Sequence, residues 1–162
     1  MKKYFNIRWS SFVKSITAIF AVVFLFAAIL LLNKALDYDP NALSGFIIVV
    51  SVSVAFSLNA PRYIKLSDKS LSITRLCFKT VIDYDQIECI SRYNPSGDIR
   101  IFGSGGYCGF VGIFRNKEIG NYFAFIGDND EAVYVETKQG RRYVFSCEDP
   151  DAVISIIKNR PE

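Results

Sequence analysis

The chain has 162 residues, of which 51% are hydrophobic, and a formal net charge of +3. The positive excess lies in residues 1–60, because residues 61–162 carry 14 Lys/Arg and 14 acidic residues. A neutral second part lacks the basic surface that nucleic-acid binding requires. The sequence contains no histidine, which excludes imidazole acid–base catalysis and histidine-based zinc sites.

Two uncharged apolar stretches come first in chain order, residues 15–32 and 41–61. A helix needs roughly 20 apolar residues to cross a bilayer, and the first stretch lacks the polar face of a soluble helix. In the second, Ser53 and Ser57 share one helix face and allow close helix contact. The sequence therefore predicts a transmembrane helical hairpin with membrane lipids as partner. The alternative is a pair of buried helices in a soluble domain.

A cleaved signal peptide is a further alternative, because residues 1–14 carry four Lys/Arg and no acid. No small-residue cleavage site follows Leu32, however, and a second apolar stretch begins within ten residues. The sequence therefore favours a retained helix.

The flanking charges predict the orientation and the domain organisation. Basic residues lie on both outer flanks and are scarce in the loop between the two stretches, so both termini are predicted to be cytoplasmic. The predicted segments are a cytoplasmic basic segment 1–14, transmembrane helices 15–32 and 41–61, a short extracytoplasmic loop 33–40 and a cytoplasmic domain 62–162.

Short alternating segments separated by turn residues follow and predict antiparallel strands. RYIKL and LSITRL flank SDKS, and AVYVET and RRYVFS flank KQG; both are hairpin patterns. Asp149 and Pro150 then predict the start of an amphipathic helix. The pattern is typical of a small barrel or sandwich with a terminal helix.

The tract FGSGGYCGFVGIF, residues 102–114, holds five of the ten glycines. A P-loop continues with Lys and Ser/Thr after its last glycine, and a dinucleotide fingerprint leads into a helix. Neither follows Gly112, so no nucleotide cofactor is predicted. Two interpretations remain open. Either the glycines permit close backbone approach within a sheet, or the tract is an interaction surface formed by Tyr107, Phe110, Gly105 and Gly106.

Cysteines and carboxylates are the remaining catalytic candidates. The four cysteines form no CxxC pair, so no metal site is predicted, and Cys108 is expected to be a small core residue. The acidic groups fit turns and helix capping. We therefore predict no enzyme, no cofactor and no metal.

Four basic residues follow the second apolar stretch: Arg62, Lys65, Lys69 and Arg75. They are candidate contacts for lipid headgroups, since a cation next to an anionic leaflet contributes about 1 kcal/mol. The alternative is that they only set the topology and keep strand faces in solvent.

Four segments together carry a resemblance to a known family: YIKLSDKSLSITR, IDYDQIECI, RIFGSGGYCGFVGIFRNKEIGNYFAF and VYVETKQGRRYVFSCEDPDAVISIIK. They resemble membrane-anchored bacterial proteins with a PH-like domain, over about residues 60–160 with two helices ahead. The resemblance implies a strongly bent barrel of about seven antiparallel strands capped by a C-terminal α-helix, held in the bacterial inner membrane. It does not imply an enzyme.

Eukaryotic PH domains that bind phosphoinositides place a Lys in the first strand and an Arg-x-Arg pair in the second. Lys65 and Arg75 match the first two positions, but Cys77 replaces the second Arg. The resemblance therefore favours a noncatalytic module that binds a protein partner or a second copy, or acts as a scaffold. The alternative is a lipid-interface module that uses the juxtamembrane cations and the tract 102–114.

Overall fold

The computed structural model describes residues 3–37 and 39–159. Residues 1, 2, 38 and 160–162 lie outside the described residues. They include the outer ends of the predicted segment 1–14 and domain 62–162, and one position of the predicted loop 33–40. The predicted division of the chain into five segments stays a prediction.

Two long apolar helices form the first part of the fold, α1 at Ser11–Leu36 and α2 at Pro40–Leu58. Ser10 caps α1, and Asp39 caps α2 with Pro40 in its first turn. The helices pack against each other, and both are long and apolar enough to cross a membrane. At 1.5 Å per residue, α1 is about 10 Å longer than α2, so its first two turns extend beyond the end of α2.

Ten strands are described: β1 at Lys3–Asn6, β2 at Pro61–Leu66, β3 at Ser70–Arg75, β4 at Lys79–Asp83, β5 at Ile87–Arg92, β6 at Ile99–Gly106, β7 at Gly109–Asn116, β8 at Gly120–Ile126, β9 at Ala132–Thr137 and β10 at Arg142–Ser146. They form a four-stranded sheet in the order β1-β2-β3-β4 and a six-stranded sheet in the order β5-β9-β10-β8-β7-β6. The predicted hairpins β2–β3 and β9–β10 are confirmed.

The sequence does not predict β1. This strand lies inside the predicted basic segment and pairs antiparallel with β2, with Lys3 opposite Leu66 and Asn6 opposite Tyr63. Its four residues show no local strand pattern, and their partner lies on the far side of both helices. β1 therefore ties the chain before α1 to the chain after α2.

The number and the direction of the described strands also differ from the predicted barrel of about seven antiparallel strands. β8 and β10 pair in parallel, because the β9–β10 hairpin places β10, and not β9, next to β8. Two further strands, β6 and β7, come largely from the glycine tract.

The main core lies between the two sheets and includes Ile64, Leu66, Leu71, Ile73, Val133, Val135, Phe145 and Val153. α3, at Pro150–Lys158, closes this part of the fold. The Asp149 side chain accepts a hydrogen bond from the Ala152 N–H at 3.0 Å, and Val153 is fully buried. The predicted C-terminal helix is therefore confirmed.

A second cluster covers the outer face of the six-stranded sheet and includes Phe114, Tyr122, Ala124, Ile126, Tyr134 and Val144. Asp98, in the connection between β5 and β6, contacts this cluster. Its carboxylate accepts hydrogen bonds from the hydroxyls of Tyr93 at 3.0 Å and Tyr122 at 2.7 Å. Burial, reinforced by the Asp98 carboxylate, raises the pKa of both tyrosines.

Candidate functional site

The glycine tract is a β-hairpin, with β6 and β7 joined at Tyr107 and Cys108. Gly103 lies opposite Gly112, and their φ angles are 114° and 143°. A Cβ on either residue would collide with a backbone carbonyl oxygen of the other strand. The backbone geometry therefore requires glycine at both positions, because only a residue without a Cβ allows the two strands to approach this closely.

The tip of this hairpin packs against the two long helices. The ring centroid of Tyr107 lies 5.5–6.1 Å from those of three phenylalanines, namely Phe20 and Phe24 of α1 and Phe56 of α2. The ring of Phe110 stacks on Phe12 at 6.2 Å. Such aromatic pairs stabilise contacts beyond the area they bury, so the tip fixes the domain to both helices.

A polar link holds the same tip to α1. The Thr17 hydroxyl accepts a hydrogen bond from the Cys108 N–H at 2.9 Å and donates one to the Gly106 carbonyl at 3.3 Å. Gly106 permits this approach, since a Cβ there would lie 3.2 Å from the Phe12 ring. One side chain of α1 thus pairs two backbone groups of the turn.

The four residues of the predicted interaction surface therefore lie together at the hairpin tip. Tyr107, Phe110 and Gly105 are half-buried and Gly106 is buried. The chain's own helices provide the contacts of Tyr107, Phe110 and Gly106 described above. A contact of these residues with another molecule stays a prediction.

Cys108 lies in the turn and is buried. Burial raises the pKa of its thiol, which keeps the proton on the sulfur. Among residues 3–37 and 39–159, no three His, Cys, Asp or Glu side chains form a group that would hold a metal ion.

The four basic candidates are not gathered at one place. Arg62 is exposed at the end of β2 next to α2, whereas Lys69 is exposed in the turn at the other end of β2. A strand of this length separates them by roughly 15–20 Å. The Lys65 ammonium lies over the ring of Tyr4, 5.6 Å from its centroid. The headgroup role stays a prediction, and the placement favours Arg62 over Lys69.

Arg75 connects α2 with the first sheet. Its guanidinium donates hydrogen bonds to Asn59 Oδ1 at 3.1 Å and to Thr80 Oγ1 at 3.3 Å. The guanidinium carbon also lies 5.5 Å from the ring centroid of Phe78 and 5.1 Å from that of Phe125. Burial lowers the pKa of Arg75. Its donors and ring contacts are thus directed toward the protein.

Sequence reasoning also missed an exposed edge. Ile99, Ile101 and Phe102 are 64%, 54% and 73% exposed, and their strand, β6, is the last strand of the six-stranded sheet. The segment IRIF indicates a strand, but its position at an edge depends on pairings that are distant in sequence.

Two mainly antiparallel sheets around one core, closed by a C-terminal helix, are the features of PH-like modules. The family model described as bacterial PH domain matches residues 62–160, and the chain belongs to this family. No curated protein and no solved structure matches the chain at a significant level. Domains of the PH class are generally noncatalytic modules.

Proposed function

We propose that this protein is a noncatalytic PH module, anchored in a bacterial inner membrane by α1 and α2, that binds a protein partner on the cytoplasmic side. The exposed edge of β6 is the observation that carries the proposal. The helices supply the anchor, and the domain supplies the binding surface.

The surface of the helices supports the membrane anchor. Val22, Leu25 and Phe26 are 67%, 62% and 63% exposed, although each is strongly apolar. A helix in the core of a soluble domain would bury such side chains, whereas lipid chains would cover them in a bilayer.

The pairing of β1 with β2 supports a hairpin that crosses the bilayer twice. β1 precedes α1 and β2 follows α2, and their backbones are hydrogen-bonded to each other. This pairing favours a topology in which both outer ends of the helix pair lie on one side of the membrane. Arg8, Lys14 and Arg62 flank these ends, which favours the cytoplasmic side.

The β6 edge suits an extended segment of a partner protein. A strand at the end of a sheet offers backbone N–H and C=O groups to an added strand. Ile99, Ile101 and Phe102 would meet apolar side chains of that segment, and the exposed Arg100 between them would favour an acidic residue.

Photo-crosslinking in cells tests this proposal. A photoreactive residue at position 102 is expected to give a discrete protein adduct, and the same residue at exposed Gln139 is not. An adduct of the chain with itself would identify a second copy as the partner. No protein adduct at 102, or equal adducts at both positions, would contradict the proposal.

A lipid-interface role is the second candidate, and the exposed Arg62 beside the end of α2 favours it. Arg62→Gln is expected to weaken the preference of the full chain for bilayers rich in anionic lipid, because one cation near such a surface contributes about 1 kcal/mol. Lys69→Gln is the matched control at the other end of β2. Equal effects of both variants in nanodiscs would contradict a specific role of Arg62.

A further inference from the structure

We infer that the turn formed by Leu76, Cys77 and Phe78 lies in the headgroup layer of the bilayer that α1 and α2 cross. This inference rests on the proposed membrane anchor and adds a lipid-contacting surface on the domain itself. We refer to these three residues, which connect β3 to β4, as the β3–β4 turn.

Backbone hydrogen bonds place the β3–β4 turn beside the end of α2. The Cys77 N–H donates to the carbonyl of Leu58, the last residue of α2, at 3.3 Å, and the Leu76 N–H donates to the carbonyl of Ala60 at 3.2 Å. The turn thus lies at the depth where α2 leaves the bilayer.

The side chains of the turn are apolar and uncovered. Leu76 and Phe78 are 47% and 52% exposed, and Cys77 between them is exposed. Three consecutive exposed residues of this kind form a patch that calls for an apolar cover. At the end of a membrane helix the nearest apolar cover is the bilayer, and Val54, one turn before the end of α2, is also exposed.

The single tryptophan of the chain lies next to the same turn. Trp9 and Leu76 line one shallow cavity, together with Ala60, Pro61 and Arg62. Tryptophan is enriched where membrane proteins meet the headgroup layer, and Trp9 directly precedes Ser10, the cap of α1. Both helix ends near the domain therefore carry side chains that are suited to this layer.

The charges around the turn match an anionic surface. Arg62 and Lys79 are exposed on either side of it. Between residues 58 and 80 the only acidic residue is Asp68, which lies in the turn at the opposite end of β2 and β3. Apolar side chains surrounded by cations are the pattern that binds an anionic lipid interface.

Arg75 holds the β3–β4 turn in this position. Its backbone N–H donates to the Phe78 carbonyl at 2.7 Å, and its guanidinium joins the Phe78 ring to Asn59, the cap of α2. The turn is therefore presented beside the helix end as a fixed element.

Two native cysteines allow a direct test with the full chain. Cys77 and Cys89 are exposed, whereas Cys108 and Cys147 are buried. A small fluorophore attached in the Cys89→Ser variant reports on Cys77, and one attached in the Cys77→Ser variant reports on Cys89. Both variants are placed in nanodiscs of mixed neutral and anionic phospholipid, with nitroxide-labelled lipid or aqueous iodide as the quencher.

The fluorophore at Cys77 is expected to be quenched several-fold more strongly by a lipid with its nitroxide near the headgroup than the fluorophore at Cys89, and iodide is expected to show the reverse order. Adding Leu76→Ser and Phe78→Ser is expected to reduce the lipid quenching at Cys77. Equal quenching of the two fluorophores by lipid and by iodide would overturn the inference.

A third position separates this inference from the membrane anchor. Leu25→Cys, combined with Cys77→Ser and Cys89→Ser, places the fluorophore on the exposed middle of α1. Quenching there by a lipid with a deep nitroxide, without lipid quenching at Cys77, overturns the inference and leaves the anchor in place. Absence of lipid quenching at both positions overturns the anchor as well.

Discussion

Tyr107 is one of the residues through which the PH-like domain contacts the helix pair. Its ring is edge-on to Phe24 and Phe56 and tilted against Phe20, so a single side chain contacts both helices. Tyr107 follows Gly106 directly, and a Cβ at Gly106 would lie 3.2 Å from the Phe12 ring of α1.

Tyr107→Ala is expected to lower the free energy of unfolding by about 2–4 kcal/mol, because a large aromatic side chain is lost from a packed contact. The measurement is unfolding of the full chain in micelles. Phe102→Ala, on the exposed edge of β6, is the matched control and is expected to change the free energy by about 0.5 kcal/mol or less. Equal losses in the two variants would contradict the role of Tyr107.

The paired glycines give a second prediction at this scale. Gly112→Ala is expected to destabilise the chain by about 3 kcal/mol or more, since it combines a left-handed φ with a collision against the Phe102 carbonyl. Gly97→Ala is the control, because Gly97 has a φ of 72° but nothing within 4 Å of an added Cβ. Thermal unfolding measures the loss of stability in both variants. A loss in Gly112→Ala no larger than that in Gly97→Ala would contradict the collision.

The buried groups with raised pKa values, among them Cys147 and Tyr134, predict how stability depends on alkaline pH. Burial raises the pKa of the Cys147 thiol to about 12. Burial, followed by the hydrogen bond to Glu136, raises the pKa of Tyr134 to about 12. The unfolded chain releases these protons near pH 8.5 and 10. The stability that these two groups contribute is therefore fully present below about pH 8.5 and is lost as the pH rises toward 12.

Cys147→Ala is expected to lose less stability than the unmodified chain between about pH 9 and 11, because it removes one of the groups whose pKa is raised in the folded chain. The measurement is the denaturant midpoint at several pH values. The relevant quantity is the change with pH, since the variant also has a different stability at neutral pH. An identical change in both proteins would contradict the assignment.

At the scale of elements, the Thr17 hydroxyl of α1 links the helix to the β6–β7 hairpin by two hydrogen bonds, beside the aromatic contacts of the hairpin tip. Thr17→Val keeps the shape of the side chain but leaves the Cys108 N–H and the Gly106 carbonyl without their partner. We expect a loss of about 1–3 kcal/mol and faster hydrogen exchange at the Cys108 amide. Thr17→Ser keeps the hydroxyl and is expected to retain slow exchange. Slow exchange in Thr17→Val would show that the link does not hold the turn.

Sequence reasoning predicts the elements whose signals are local. The uncharged stretch 15–32 predicts α1, and Asp149 with Pro150 predicts α3, because length, hydropathy and capping are all present in neighbouring residues. The glycine tract gives no clear local signal for strands, since glycines are poor strand formers. Only the cross-strand pairing of Gly103 with Gly112 explains how this tract forms strands.

The structural features that the sequence does not predict depend on contacts between segments that are distant along the chain. Nothing near Tyr107 indicates that Phe24 and Phe56 will cover it, and nothing near Lys3 indicates that β2 will pair with β1. Arg62, Lys65, Lys69 and Arg75 are headgroup candidates in the sequence because they follow the second apolar stretch. Distance along the chain does not give distance from the bilayer, since β2 carries Lys69 away from the end of α2.

At the scale of the whole molecule, the domain depends on the chain that precedes it. Residues 62–162 alone would lack β1 and would expose the hairpin tip that the helices cover. We expect this fragment to self-associate and to bind an apolar dye, and Tyr107→Ser with Phe110→Ser is expected to reduce both effects. Light scattering and dye fluorescence measure them. A monomeric fragment without dye binding would show that the helices are dispensable for the domain.

The pairing of β1 with β2 also sets an order of events during synthesis. β1 leaves the ribosome before either helix, but its partner follows only after both helices have been made. At about 5–20 residues per second, β1 waits for several seconds. In the proposed topology, insertion of only one of the two helices would leave β1 and β2 on opposite sides of the membrane, and β2 would keep an open edge. In that topology, completion of the first sheet therefore requires that both helices cross the membrane.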